Sequence, residues 1–73
     1  MEEFKRYLRD VVDEYDKWYP QLSWGQVYLH VLSQYQPNMV LYIVKNRKLD
    51  PFYNDKKIEK FLVFVRENWG VYD

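Results

Sequence analysis

The first eighteen residues carry apolar side chains at the spacing of one helical face. A helix turns about every 3.6 residues, so positions three or four apart lie on the same side. The positions with this spacing are Phe4, Tyr7, Leu8, Val11, Val12, Tyr15 and Trp18. Charged residues fill most of the remaining positions, and the pattern predicts an amphipathic helix over residues 2–18. Pro20 disfavours helical backbone at Tyr19, so we expect this helix to end near Trp18.

A second helix is indicated by its own start signal. Ser23 is a favoured N-cap residue, and Gln26 completes the Ser-x-x-Gln spacing of a capping box. Leu22 and Val27 flank these positions at the spacing of a hydrophobic staple. The apolar stripe that follows stops before the next proline, and these features together predict a helix over residues 24–36.

Residues 37–46 have a composition that suits either a strand or a helix. The run from Met39 to Val44 contains only apolar side chains, several of them β-branched or aromatic, as in a buried strand. A lone strand would have no partner elsewhere in this sequence. Pro37 also suits the first position of a helix, so we expect a short buried helix over residues 38–45.

Two aspartates mark the remaining elements. Asp50 before Pro51 predicts an N-cap and one helical turn through Tyr53. Asp55 is expected to cap a last helix over residues 56–69. The ligand spacing of a calcium loop is missing here, so both acids are interpreted as caps and not as metal ligands.

These elements predict an all-α fold, in which one domain over residues 1–73 forms a compact small bundle of three longer helices and one short helix. A chain this small must fill its core with large side chains, and it carries eight Tyr, four Phe and three Trp. It has no cysteine and one histidine, which excludes a disulfide framework and a multi-histidine metal site. We expect no cofactor and no metal.

The longest uncharged stretch is too polar for a membrane span. It runs over residues 18–44 and is interrupted by Pro, Gln, Ser, Asn and His. Charged residues, and not the apolar pattern of a secretion signal, occupy the first positions of the chain. A cytoplasmic protein that does not bind membranes is therefore expected.

Charge is unevenly distributed although eleven basic and eleven acidic residues cancel. Residues 1–20 have a net charge of −2, residues 21–44 carry no charge, and residues 45–60 have a net charge of +3. A short connector should bring the basic residues of the last segment together: Lys45, Arg47, Lys48, Lys56, Lys57 and Lys60. With Phe52 and Tyr53 between them, they could hold a nucleotide or a single strand, or they could be a solvated face.

The outward face of the second helix is the candidate for binding a protein partner. Interface cores are poor in charge and rich in aromatics, and this face is uncharged and lies beside a tryptophan. Its residues are Trp24, Gln26, Leu29, His30 and Ser33. The alternative is a central helix that the others cover on all sides. Gly25 indicates close packing against the first turn, by another helix or by a partner.

No catalytic set can be assembled from the sequence. His30 has no cysteine, serine or carboxylate at a motif spacing, and no carboxylate pair suggests acid–base chemistry. We expect His30 to lie on the surface or in a hydrogen-bond network, and the protein not to be an enzyme.

Several of these residues together resemble a group of short phage and prophage proteins. The shared pattern contains Gly25-Gln26 and Asp50-Pro51-Phe52-Tyr53, followed by Asp55, Phe61-Leu62 and Trp69. This chain departs from it where Ser23 replaces a basic residue and His30 replaces an asparagine. The resemblance implies a helical fold and a phage origin, and hence a host-cell cytoplasm.

The leading functional hypothesis is therefore a small non-enzymatic phage protein that binds a host or phage protein, in particular as an inhibitor of a host defence protein. Two alternatives remain. One is a binder of an anionic ligand, nucleotide or nucleic acid, through the basic cluster. The other is an assembly subunit that completes its core as a homo-oligomer.

Overall fold

Four α-helices make up most of the chain. The computed structural model describes residues 2–72. It contains α1 (Glu2–Trp18), α2 (Trp24–Tyr35), α3 (Pro37–Val44) and α4 (Ile58–Glu67), with a 3₁₀ turn at Asp55–Lys57 before α4. No strand occurs among the described residues. The predicted all-α bundle of three longer helices and one short helix is confirmed.

The start of α2 shows both halves of the predicted capping box. The Gln26 N–H donates to Ser23 Oγ at 3.3 Å, and the Ser23 N–H donates to Gln26 Oε1 at 2.9 Å. The helix ends at Tyr35, one residue earlier than predicted. Gln36 leaves helical geometry there because the residue before a proline is pushed towards extended backbone.

The ambiguous apolar run is a helix, as expected, with bounds close to the prediction. Pro37 occupies its first turn, where the missing N–H costs nothing. Met39 and Ile43 lie four residues apart and are fully buried. The opposite side of α3 is exposed at Leu41 and Val44, so only one face of this helix is buried.

Residues 50–53 form a turn and not the predicted helical turn. The Asp50 carboxylate accepts a hydrogen bond from the Phe52 N–H at 2.9 Å, and the Asn54 N–H donates to Pro51 O at 3.2 Å. An aspartate that bonds the N–H two residues ahead makes an Asx turn. The Asp50 carboxylate therefore has a hydrogen-bond partner within the turn, and no helix begins there.

The cap of the last helical segment lies one residue before the predicted position. Asn54 Oδ1 accepts from the Lys56 N–H at 3.0 Å, so Asn54 and not Asp55 begins the 3₁₀ turn. Asp55 accepts instead from the Gly25 N–H on α2, at 3.0 Å. Asparagine and aspartate cap equally well, and tertiary contact decides between the two neighbours. The α-helix itself is shorter than the predicted range 56–69.

Buried apolar side chains form one core to which all four helices contribute. They are Phe4, Tyr7, Val11, Val27, Leu29, Val31, Leu32, Met39, Ile43, Phe61 and Val65. Tyr7 is fully buried, and its hydroxyl donates to Tyr28 O at 2.9 Å. Its ring also lies 6.0 Å from the Tyr35 ring and 5.6 Å from the Trp69 ring. These contacts hold α1 against α2 and against the end of the chain.

The C-terminal segment is fastened to the rest of the bundle by two hydrogen bonds. The Gly70 N–H donates to Oε1 of the buried Gln36 at 3.0 Å. Trp69 Nε1 donates to Glu3 Oε1 at 2.9 Å. Gly70 has a φ of 83°, a left-handed conformation that glycine adopts without strain.

Candidate binding surfaces

The structure corrects the prediction that Leu29 faces outward. Only 5% of Leu29 is exposed, and the side chain belongs to the core. The helix that carries it contacts α1, α3 and the 3₁₀ turn, which cover it on most sides. α2 is therefore the central helix of the bundle, and its exposed surface is a narrow strip that includes His30 and Ser33.

Two other residues of the predicted α2 face make intramolecular contacts. The Trp24 ring stacks on Tyr15 with centroids 3.7 Å apart and planes inclined by 4°. Gln26 serves the capping box through its side chain. His30 is exposed, and its carbonyl accepts a hydrogen bond from Ser33 Oγ. Partner binding by this face stays a prediction. Its apolar residue Leu29 is buried in the core and is not available to a partner.

Gly25 is explained by a close approach within the chain. A Cβ at this position would lie 2.0 Å from Pro51 O and 2.8 Å from Pro51 C. Any side chain here would collide with the turn that precedes α4. The close contact predicted at Gly25 is thus made by the connector between α3 and α4.

The connector brings the predicted basic residues together. A depression of about 290 Å³ is lined entirely by cationic residues: Arg47, Lys48, Lys56, Lys57 and Lys60. We call this set the basic groove. The Lys57 ammonium donates to Arg47 O at 2.7 Å, which ties the start of the connector to its end. Lys45 lines a neighbouring depression of about 540 Å³ together with Arg47 and Lys48.

Two acids near the basic groove accept hydrogen bonds from the backbone and form no ion pair with it in the described part of the chain. Asp55 accepts from the Gly25 N–H and Asp50 from the Phe52 N–H. Within residues 2–72, the one ion pair joins Lys17 to Glu14 at 3.5 Å. No cation of the basic groove forms an ion pair within this range, although Glu59 lines a depression together with Lys56 and Lys60.

An exposed aromatic ring stands beside the basic groove. Tyr53 is 90% exposed, and its ring meets the Phe52 ring edge-on at 4.8 Å. Tyr53 lines a depression of about 350 Å³ that also contains Arg47 and Lys57. Sequence reasoning placed both aromatics between the basic residues, and the structure shows that Tyr53 is much more exposed than Phe52.

A surface that sequence reasoning missed lies on α3. Leu41, Tyr42 and Val44 are 59%, 43% and 46% exposed, and we call them the α3 patch. The Tyr42 ring packs against those of Phe64 and Tyr72, at 5.4 and 5.3 Å, and these two rings also contact each other at 6.2 Å. Helical spacing contained the signal for Leu41: once Met39 and Ile43 are buried, the position midway between them lies on the opposite side of the helix.

The described residues contain no group of potential metal ligands, and three tyrosines have raised pKa values. No three His, Asp or Glu side chains of residues 2–72 lie together as metal ligands. Burial raises the pKa of Tyr7 well above its usual value, and Tyr28 adds to this effect. Burial raises the pKa of Tyr28, and the hydrogen bond to the Asp10 carboxylate raises that of Tyr35. The Tyr7 hydroxyl donates to Tyr28 O and the Tyr35 hydroxyl donates to the Asp10 carboxylate, and both bonds require the protonated form.

None of the helices in residues 2–72 combines the length and the apolar character needed to cross a membrane. The comparisons with protein-family models, with curated proteins and with solved structures find no match.

Proposed function

We propose that this chain is a small non-enzymatic protein-binding module and that it binds its partner through the α3 patch. The observation that carries the proposal is the exposure of Leu41, Tyr42 and Val44 on a helix without a charged residue. Contiguous exposed apolar surface is typical of interaction sites. The patch thus replaces the α2 face as the place where the partner docks.

Tyr42 suits the centre of such an interface. Its ring packs against the rings of Phe64 and Tyr72 before any partner arrives. A side chain that is already ordered loses little conformational entropy on binding. Tyrosine is also among the residues that dominate binding energy in interfaces.

The partner that fits this surface is a protein with an apolar patch and a carboxylate beside it. The apolar part would cover Leu41 and Val44. The carboxylate would face Lys45, which is exposed at the C-terminal end of α3. The resemblance to phage proteins directs the search to host proteins, and among them first to defence proteins that the chain would inhibit.

Two valines provide a matched test. Val44 on α3 is 46% exposed, and Val12 on α1 is 50% exposed. Val44→Glu and Val12→Glu make the same chemical change on equally exposed helical positions. Each variant and the wild type would be used to capture proteins from a host lysate, followed by mass spectrometry. We expect a partner that the wild type and Val12→Glu retain and that Val44→Glu loses.

Measurements on the same variants can also contradict the proposal. Identical captured proteins for all three forms would show that the α3 patch binds nothing specific. Sedimentation over a range of concentrations provides the second arm. A dimer that Val44→Glu abolishes and Val12→Glu preserves would assign the patch to self-association instead. Thermal unfolding must show that both variants fold like the wild type.

A further inference from the structure

Several neighbouring depressions in the surface of this protein are lined by the basic residues of the 45–60 segment. Arg47 lines three neighbouring depressions, of about 350, 290 and 540 Å³, so the three share one wall. Lys56 joins the basic groove to a further depression that contains Phe52 and Tyr53. No residue of α1, which carries the acidic part of the chain, lines any of these depressions. Each of the four depressions contains at least one cation, and only two of them contain an acid, Asp50 in one and Asp55 in the other.

The lining of the basic groove fits phosphates better than a protein segment. Five cationic residues and no apolar side chain surround it. Lysine is depleted in the cores of protein interfaces, which need apolar anchors. Phosphate groups, by contrast, bind lysine and arginine directly and release their condensed counterions. The groove therefore differs in chemistry from the α3 patch.

Tyr53 adds a feature that distinguishes a single strand from other polyanions. Its ring is 90% exposed and shares a depression with Arg47 and Lys57. Proteins that bind single strands combine a basic groove with aromatic rings on which unpaired bases stack. In a duplex the bases are already stacked on one another, so an isolated exposed ring has no base to receive.

We propose that the basic groove binds single-stranded nucleic acid, with the phosphates on Arg47, Lys48, Lys56 and Lys60 and a base stacked on Tyr53. Lys57 already bonds Arg47 O and positions the connector. This function goes beyond protein binding by the α3 patch, because the phosphates and the base contact other residues and the ligand is different, although Val44 and Tyr42 of the patch line two of the neighbouring depressions. It stands or fails independently of that proposal.

The test measures binding of a fluorescein-labelled oligo-dT of about 15 nucleotides by fluorescence anisotropy. About four phosphate contacts give a slope near −3 for the logarithm of affinity against that of salt concentration. Affinity should therefore fall about 60-fold between about 50 mM and about 200 mM salt. A duplex of equal length and poly-glutamate serve as competitors, and both should compete much more weakly than unlabelled oligo-dT.

Two pairs of charge reversals test whether oligo-dT binds the groove itself or only responds to the net charge of the protein. Lys56→Glu with Lys60→Glu changes two exposed groove residues four positions apart. Lys5→Glu with Arg9→Glu makes the same change at the same spacing on exposed positions of α1. The groove pair should weaken oligo-dT binding by about tenfold or more at low salt, and the α1 pair by much less. Tyr53→Ala should weaken it by about five- to a hundredfold through lost stacking.

Several results would overturn the proposal. Absence of oligo-dT binding at about 50 mM salt would exclude it directly. Equal losses for the two charge-reversed pairs would show attraction to net charge and not to the groove. Equal competition by poly-glutamate would identify an acidic protein as the fitting ligand, and equal competition by the duplex would exclude recognition of a single strand. Unchanged affinity in Tyr53→Ala would remove the stacking role on which the choice of a single strand rests.

Discussion

The backbone N–H of Gly25 donates a hydrogen bond to Asp55 Oδ1, 3.0 Å away, and this bond joins the first turn of α2 to the 3₁₀ turn before α4. The first N–H groups of a helix have no partner inside it. Ser23 satisfies the N–H of Gln26, and Asp55 satisfies that of Gly25 from thirty residues further along the chain. The connector that carries the basic groove is thereby fixed to the central helix.

Gly25→Ala should destabilise the protein although alanine is the better helix former. An added Cβ would lie 2.0 Å from Pro51 O, so the connector has to move. We expect the free energy of unfolding to fall by about 1–3 kcal/mol, the usual range for overpacking. Without that collision, glycine to alanine in a helix should stabilise by about 0.5–1 kcal/mol. Denaturant unfolding measures whether the free energy of unfolding falls or rises. A rise would contradict the close contact between Gly25 and Pro51.

Asp55→Ala should cost stability although Asp55 is exposed. The substitution leaves the Gly25 N–H without its partner, and loss of such a cap costs about 0.5–2 kcal/mol. Glu59→Ala is the control, because it removes an exposed carboxylate four residues away that makes no helix cap. That variant should stay within about 0.5 kcal/mol of the wild type in denaturant unfolding. Equal effects of the two variants would contradict a capping role for Asp55.

The sequence was sufficient to predict the helices because their signals are local. Ser23 and Gln26 specify the start of α2 within four residues, and the capping box forms as predicted. Pro37 and the lack of a strand partner correctly favoured a helix for the apolar run that follows. The assignment of Asp55 failed because Asn54 and Asp55 are both good caps. Which of them turns towards α2 depends on a residue thirty positions away.

The candidate surfaces were predicted less completely, since exposure depends on packing between helices. The convergence of the basic residues followed from the shortness of the connector, and the basic groove shows it. Periodicity does not say how many sides of a helix are covered, so Leu29 was placed on the outside of α2 although it is core. For the same reason, the sequence did not predict the exposed side of α3, since the whole helix was expected to be buried.

Two leucines test the corrected assignment of core and surface. Leu29 is 5% exposed on α2 and Leu41 is 59% exposed on α3. Leu29→Ala should lower the free energy of unfolding by about 2–5 kcal/mol, because it leaves a cavity in the core. Leu41→Ala should change it by less than about 0.5 kcal/mol. Chemical denaturation of both variants measures the difference, and similar losses would show that one of the two positions is wrongly assigned.

The raised tyrosine pKa values predict that the protein loses stability in alkali. Tyr7, Tyr28 and Tyr35 all have a pKa above the usual value near 10 in the folded state. Above about pH 10 the unfolded chain releases these protons while the folded protein keeps them. The unfolded state then binds fewer protons, so the free energy of unfolding falls as pH rises from there. Below about pH 10 the contribution of these groups is constant.

Tyr7→Phe separates this effect from general alkaline damage. The variant loses the hydrogen bond to Tyr28 O, so its free energy of unfolding at pH 7 should be lower by about 1 kcal/mol. It also lacks the hydroxyl with the most strongly raised pKa, so its stability should fall less steeply above about pH 10. The two curves should therefore converge as pH rises. Tyr53→Phe changes an exposed ring and should leave both the value at pH 7 and the slope unchanged. Parallel curves for Tyr7→Phe and the wild type between about pH 9 and about pH 11.5 would show that Tyr7 does not resist ionisation in the fold.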